Sequence, residues 1–293
     1  MSAAPESRRP LPGWDNPVRI AGPEVFQAVA QFFAYDRTRP LRAENRERKE
    51  AAGHTREKIV FEGAHGDLVP AWLALPRAVP GRVPVVSLMH GVGRSKEIWF
   101  SADLAPRAAA LTDSLLAGGY AVLALDARGH GERVLATGVP GPDGGPAGRD
   151  LMVASTIEQR RAFDYLTTRS EIDASRIGAL GVSLGGLMAF ALAALEPRLR
   201  VAVAGVTPVG ALKQIISIPM APQTFAGAIA RTPFLMLMGR QDEFYTEKDA
   251  AELFAGIPSP VKELVWYDAG HRLPPEYAPR ARAWFDTHLR AGA

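Results

Sequence analysis

A serine framed by glycines, Gly181-Val182-Ser183-Leu184-Gly185, stands directly after the apolar run Ile177-Gly178-Ala179-Leu180. A nucleophile mounted on a sharp strand-to-helix turn has this form. The turn strains the serine backbone, and a side chain at either flanking glycine would strike the neighbouring strand or helix. The same turn exposes the Ser183 hydroxyl at a helix N-terminus, where unpaired backbone N–H groups can receive developing negative charge. From Ile177 to Leu195 the chain carries no charged residue and is long enough to cross a bilayer. Four glycines and the serine turn fall inside that stretch. It therefore reads as a central parallel strand and the helix behind it, buried on nearly all sides.

A carboxylate and then a histidine are expected after such a serine. The run Pro233-Phe234-Leu235-Met236-Leu237-Met238 leads into Gly239-Arg240-Gln241-Asp242, a strand ending in an acidic turn. Val261 to Tyr267 leads into Asp268-Ala269-Gly270-His271. Asp242 is the expected acid and His271 the expected base. Glu243 and Asp268 compete for the acid's role, and the Gly-x-x-Asp placement favours Asp242. Upstream, Val83 to Met89 leads into His90-Gly91-Val92-Gly93, a small-residue loop suited to supplying a backbone donor. The amides of Leu184 and Val92 are the expected oxyanion hole. His90 and His130 sit in glycine-flanked loops too, but neither follows the last strand, and both read as loop braces. Asp126 and Arg128 are expected to pair with backbone or with each other.

The strand before His90-Gly91-Val92-Gly93, the stretch Asp126-Ala127-Arg128-Gly129-His130-Gly131, the serine turn, Gly239 to Asp242 and Gly270-His271 together resemble the α/β-hydrolase superfamily. The resemblance runs over residues 58 to 290 and is nearest to the dienelactone-hydrolase and acetyl-esterase-like branches. It implies an α/β-hydrolase fold and acyl transfer through Ser183, His271 and Asp242. Dienelactone hydrolases typically use a cysteine nucleophile, and this chain has no cysteine, so a serine esterase is the better relative. Relatives with dehalogenase or epoxide-hydrolase chemistry carry aspartate at the elbow, and serine cannot form their alkyl-enzyme ester.

Alternating strand and helix signals argue for a mostly parallel sheet with helices on both faces. The candidate strands number eight: Lys58 to Glu62, Val69 to Leu75, Val83 to Met89, Tyr120 to Leu125, Arg176 to Leu180, Val201 to Ala204, Pro233 to Met238 and Lys262 to Trp266. Gly66-Asp67 predicts a hairpin at one edge. Helices are predicted over Asp103 to Ala117, Thr156 to Thr168 (capped by Ser155 or Thr156), Ser183 to Leu195, Thr246 to Phe254 and Pro275 to Leu289. Residues 1–57 read as an extension whose one amphipathic helix, Pro23 to Ala34, carries the apolar stripe Val25, Phe26, Val29, Phe32 and Phe33. Residues 58–293 read as a single hydrolase domain. The Gly/Pro-rich segment Asp126 to Ala154 is expected to be irregular. Gly205 to Arg231 is too apolar for an exposed loop and reads as a small cap.

At 293 residues and 47% hydrophobic content, the chain can bury a large core. Its 34 basic and 31 acidic residues leave a net charge of only +3. The densest charged stretch, Arg42 to Glu50, interleaves both signs and reads as a solvated helix face rather than a nucleic-acid patch. No His, Asp or Glu pairs stand at zinc spacing, and no cofactor is expected. Ser7-Arg8-Arg9 is followed by Pro10, Pro12, Trp14 and Asp15 rather than by an apolar segment, which predicts a cytoplasmic protein without a membrane partner. The apolar helical stripe leaves a homodimer open.

The expected partner is a small to medium uncharged ester, with Ile216 and Met220 of the cap lining its pocket. Trp99 and Phe100 either line the leaving-group side or pack in the core. Thioesters and lactones suit the same machinery. The contrasting class is a hydrolase-fold protein that binds a small molecule without turning it over, and the full Ser/Asp/His set argues against it.

Overall fold

A computed structural model describes residues 17–63, 65–77, 79–134, 146–209, 219 and 221–290. Among these lie nine strands: β1 (Glu44–Ala51), β2 (His54–Glu62), β3 (Leu68–Pro76), β4 (Val83–Met89), β5 (Ala121–Leu125), β6 (Ile172–Val182), β7 (Leu199–Gly205), β8 (Phe234–Gly239) and β9 (Lys262–Tyr267). They form one sheet in the order β1-β2-β3-β5-β4-β6-β7-β8-β9. The four strands at the β1 end pair antiparallel, and every pairing from β5 through to β9 is parallel.

The helices are α1 (Pro23–Ala30), α2 (Pro106–Ala117), α3 (Pro146–Leu166), α4 (Leu184–Leu195), α5 (Pro222–Ala226), α6 (Glu247–Ala255) and α7 (Tyr277–Leu289). Strand alternation feeds two cores. In β5, Ala121, Leu123 and Leu125 face the core under α1, α3, α4 and α6, while Val122 and Ala124 face the one under α2 and α7. Helix α4 is buried from Leu184 through Ala193, which accounts for its uniform apolarity. No described helix is long and apolar enough to span a membrane.

The sheet holds nine strands rather than eight because Glu44–Ala51, within the stretch read as a solvated helix face, is strand β1. It pairs antiparallel with β2, so the hairpin of β2 and β3 is not the edge. Its opposite charges meet two residues apart, as in Arg46 with Glu44 and Lys49 with Glu47. A charged, largely exposed strand is how a sheet edge resists pairing with another chain. Pairing with β2 overrides the local helical signal.

Helix α3 starts well before the predicted Thr156. Thr156 is buried inside it and its Oγ1 donates to the Met152 carbonyl at 2.8 Å, while Ser155 Oγ accepts the Arg128 N–H at 2.9 Å. Neither residue caps the helix. Residues 135–145 of the expected excursion lie outside the described residues.

The helix predicted over Pro23 to Ala34 is α1 followed by a 3₁₀ turn at Gln31–Phe33. Val29 and Phe33 are buried, and Val25 and Phe32 are exposed. Phe33 meets the buried Phe225 of α5 edge-on at 5.6 Å. This part of the expected cap is therefore core, packed against α4 and α1.

Candidate active site

Ser183 takes φ 59° and ψ −114° between the last residue of β6 and the first of α4. Few L-residues hold such a backbone. It persists because Ser183 N–H donates to the Gly205 carbonyl at 2.9 Å and because the turn is closed by glycine on both sides. A Cβ at Gly181 would lie 1.8 Å from the Gly185 carbonyl oxygen, and one at Gly185 would lie 2.2 Å from that of Met89.

The loops after β8 and β9 are tied together by their backbones. Arg240 N–H donates to Tyr267 O at 2.9 Å and Gln241 N–H to Ala269 O at 3.0 Å. Gly239 permits this approach, since a Cβ there would meet the Ala269 carbonyl at 2.3 Å. Asp242 and His271 are thereby set side by side. His271 Nδ1 lies 2.8 Å from Asp242 Oδ2, and Nε2 lies 2.8 Å from Ser183 Oγ. A carboxylate only accepts, so Nδ1 carries the proton and Nε2 is left to accept from the serine hydroxyl. The Asp242 side chain is fully buried, whereas that of His271 is 23% exposed. Glu243 and Asp268 are exposed, and Asp268 pairs with Arg240 at 3.6 Å.

Two residues that the sequence did not single out lie in the turn that follows Asp242. Phe244 N–H donates to Asp242 Oδ1 at 2.9 Å, and its ring meets the His271 imidazole edge-on at 4.5 Å. The buried Tyr245 hydroxyl accepts Gly239 N–H at 2.9 Å. Burial and then the Asp242 charge raise its pKa. The available signal was an aromatic pair placed between the acid and the Thr246 cap of α6.

On the other flank, the Gly91 backbone lies against the serine: a Cβ on Gly91 would stand 3.2 Å from Ser183 Cβ. His90 braces this loop, with Nδ1 on the Gly91 carbonyl at 2.9 Å and Nε2 accepting Ala127 N–H at 3.1 Å. His130 Nδ1 bonds Arg128 O at 2.9 Å. Asp126 pairs with neither its own Arg128 nor a distant triad member. It accepts the Lys96 backbone N–H at 2.8 Å, Lys96 Nζ at 2.7 Å and Glu132 N–H at 3.0 Å, because the Lys96 ammonium is buried beside it. Arg128 pairs with Asp67 instead, at 3.7 Å.

Val92 is 46% exposed beside this loop, and Leu184 is the first residue of α4. Trp99 is 1% exposed and packs in the core with Leu111 and Leu115, because its 3₁₀ turn, Lys96–Trp99, directs it beneath the loop. It does not line the site. Ile216 and Met220 lie outside the described residues.

Residues 88–291 match the model of an alpha/beta hydrolase family. The chain belongs to that family. The chain is 29% identical over 177 residues to the putative hydrolase YtaP of Bacillus subtilis (strain 168), a match spanning 56% of the chain and 57% of YtaP. The chain therefore spans little more than half the length of that curated relative. Its fold is shared with acetyl xylan esterase 1 from Thermoanaerobacterium sp. JW/SL YS485, at TM-score 0.74 and 20% identity over 97% of this chain and 99% of that one. The acetyl xylan esterase from Paenibacillus sp. R4 is alike, at TM-score 0.73 and 20% identity over 96% and 100% of the two chains. A cold-adapted esterase from an Arctic intertidal metagenomic library follows at TM-score 0.66 and 19% identity, covering 84% and 98%.

Proposed function

We propose that the protein is a serine carboxylesterase that hydrolyses small to medium uncharged esters through an acyl-enzyme. The observation that carries this reading is the unbroken chain from Ser183 Oγ through His271 to a buried Asp242, with both links at 2.8 Å. His271 Nε2 takes the serine proton as Oγ attacks the ester carbonyl carbon. Asp242 holds the imidazole in the required tautomer and stabilises the imidazolium that forms. The imidazolium then passes its proton to the departing alcohol oxygen, leaving the acyl group on Ser183. Water, activated by the same imidazole, releases the acid and restores the serine.

The oxyanion donors in this reading are the amides of Leu184 and Val92. The Leu184 amide belongs to the first turn of α4, where helical N–H groups have no partner within the helix. The Gly91–Val92 peptide is trans, so its N–H points opposite to its carbonyl. By bonding that carbonyl, His90 also fixes the direction of the Val92 N–H. Losing one such donor typically costs about 3 kcal/mol of transition-state stabilisation.

Acetyl esters are the first compounds to try, because two of the proteins that share the fold are acetyl xylan esterases. Hydrolysis of p-nitrophenyl esters from acetyl to octanoyl, by the wild-type protein and Ser183→Ala, tests the proposal. Turnover by the wild type and a loss on the order of a millionfold in the variant are expected. Equal rates in both proteins would remove Ser183 as the nucleophile.

A further inference from the structure

The loop that carries Val92 is tied down at both ends, and both ties run to two adjacent residues at the end of β5. At its start, Ala127 N–H donates to His90 Nε2 at 3.1 Å. His90 Nδ1 then carries the ring's proton and donates it to the Gly91 carbonyl at 2.9 Å. At its far end, Asp126 accepts the Lys96 backbone N–H on Oδ1 at 2.8 Å and the Lys96 ammonium on Oδ2 at 2.7 Å. Between the ties lies a β-turn. Arg94 N–H donates to Gly91 O at 3.2 Å, and Gly93 has the positive φ, 70°, that the third position of a type II turn requires. The Gly91 carbonyl thus has two donors inside the turn, and the Val92 N–H, on the other edge of the same trans peptide, points out of it.

Packing alone does not call for ions here. The side chains of Lys96 and Asp126 are 1% and 0% exposed. A buried ion pair adds little net stability over apolar residues of the same volume, because desolvation offsets the attraction. The chain is nonetheless shaped around this carboxylate. Glu132 N–H donates to Oδ2 at 3.0 Å, and Gly131, at φ 54°, passes so close that a Cβ there would lie 2.3 Å from Asp126 Cγ. Lys96 Nζ also reaches Glu132, which Lys58 of β2 holds at 2.6 Å. The next residue, Glu97, accepts Trp72 Nε1–H at 2.6 Å, which seats the far end of the loop on β3 as well.

Resting on the esterase reading and its Val92 donor, we infer that Lys96 and Asp126 are positioning residues of the oxyanion hole. Asp126 holds Lys96, and through it the end of the turn, at a fixed distance from the Ala127 N–H that holds His90 at the start. The two ties together set the plane of the Gly91–Val92 peptide beside the nucleophile, where a Cβ on Gly91 would stand 3.2 Å from Ser183 Cβ. Lys96 and Asp126 act through the turn and not on the ester itself. Because the pair gives direction rather than stability, its loss should lower the rate more than it lowers resistance to unfolding.

The test compares the wild type with Asp126→Asn and with the double variant Lys96→Met, Asp126→Asn, which removes both charges and strands neither. Each is measured by urea unfolding, by kcat and KM on p-nitrophenyl acetate, and by affinity for methylboronic acid, whose adduct with Ser183 places an oxygen where the oxyanion forms. Expected in the double variant are a urea midpoint close to that of the wild type and a kcat about tenfold lower, a fraction of the hundredfold or more that a lost oxyanion donor costs. KM should change little, and boronate affinity should fall by about the same factor as kcat. Wild-type kcat and boronate affinity in either variant would overturn the proposal, leaving the pair as a structural tie; so would a raised KM with kcat unchanged. Failure of both variants to fold would likewise assign the pair to stability. The amide NMR signals of Val92 and Leu184 need no turnover: the first should shift in the variants and the second should stay. An absence of ester hydrolysis in the wild type would defeat the esterase reading, whereas an unmoved Val92 signal would defeat the positioning role.

Discussion

His90 shows how one buried side chain couples a loop to solution pH. Both ring nitrogens are engaged in the neutral form, Nδ1–H toward Gly91 O and Nε2 toward the Ala127 N–H. Burial lowers its pKa to about 4, the Gly91 carbonyl opposing and the neighbouring His130 ring, 5.2 Å away, assisting. In the unfolded chain the same histidine takes a proton near pH 6.5. Between these values the unfolded state binds the extra proton, so stability is complete above about pH 6.5 and falls as the pH drops toward 4. The full penalty is about 3 kcal/mol. Unfolding midpoints measured from pH 7 to 4 should decline in the wild type and decline less in His90→Gln. Equal slopes would mean that other groups carry the acid sensitivity.

At the scale of elements, the elbow between β6 and α4 is fixed by backbone meeting backbone. A methyl group at Gly181 or Gly185 would collide with a carbonyl oxygen rather than with the end of a flexible side chain. Gly181→Ala should destabilise the protein by about 2 kcal/mol or more, read as a lower urea midpoint, and should displace Ser183. A variant as stable as the wild type would show that the turn can relax. Much of this architecture was legible in the sequence, for identifiable reasons. Strands such as β4 and β8 are buried on both faces and so appear as largely apolar runs. Ser183, Asp242 and His271 each stand just past a strand of the sheet, Ser183 after β6, Asp242 after β8 and His271 after β9. β1 was illegible because an exposed edge needs charges and so resembles a solvated helix. The true start of α3 was hidden because Ser155 and Thr156 look like caps while bonding elsewhere. Phe244 drew no notice because its ring meets His271 only when the loops after β8 and β9 come together.

Across the whole molecule, the segment before the sheet belongs to the core. Phe33 is fully buried against Phe225, and its carbonyl accepts from Arg160 at 2.7 Å. Arg160 continues to Glu196 at 3.1 Å, Glu196 to Arg198 at 2.7 Å, and Arg198 to Asp164 at 2.6 Å, where the Tyr35 hydroxyl also donates at 3.0 Å. The N-terminal segment, α3 and the end of α4 are thus bound by one partly buried network. Phe33→Ala should cost about 3–5 kcal/mol, measured by denaturant unfolding, in a single transition shared by tryptophan fluorescence and circular dichroism. A separate early transition would show that the segment melts by itself. The sheet has one more consequence. Ser183, Asp242 and His271 hang from β6, β8 and β9, and a slip of one residue between β8 and β9 would carry Asp242 past His271 by about 3.3 Å. No hydrogen bond of 2.8 Å survives such a displacement. A molecule could be compact and rich in secondary structure with its strands misregistered, and on the proposed esterase reading it would be silent in an assay, so specific activity would count the molecules whose strands are in step.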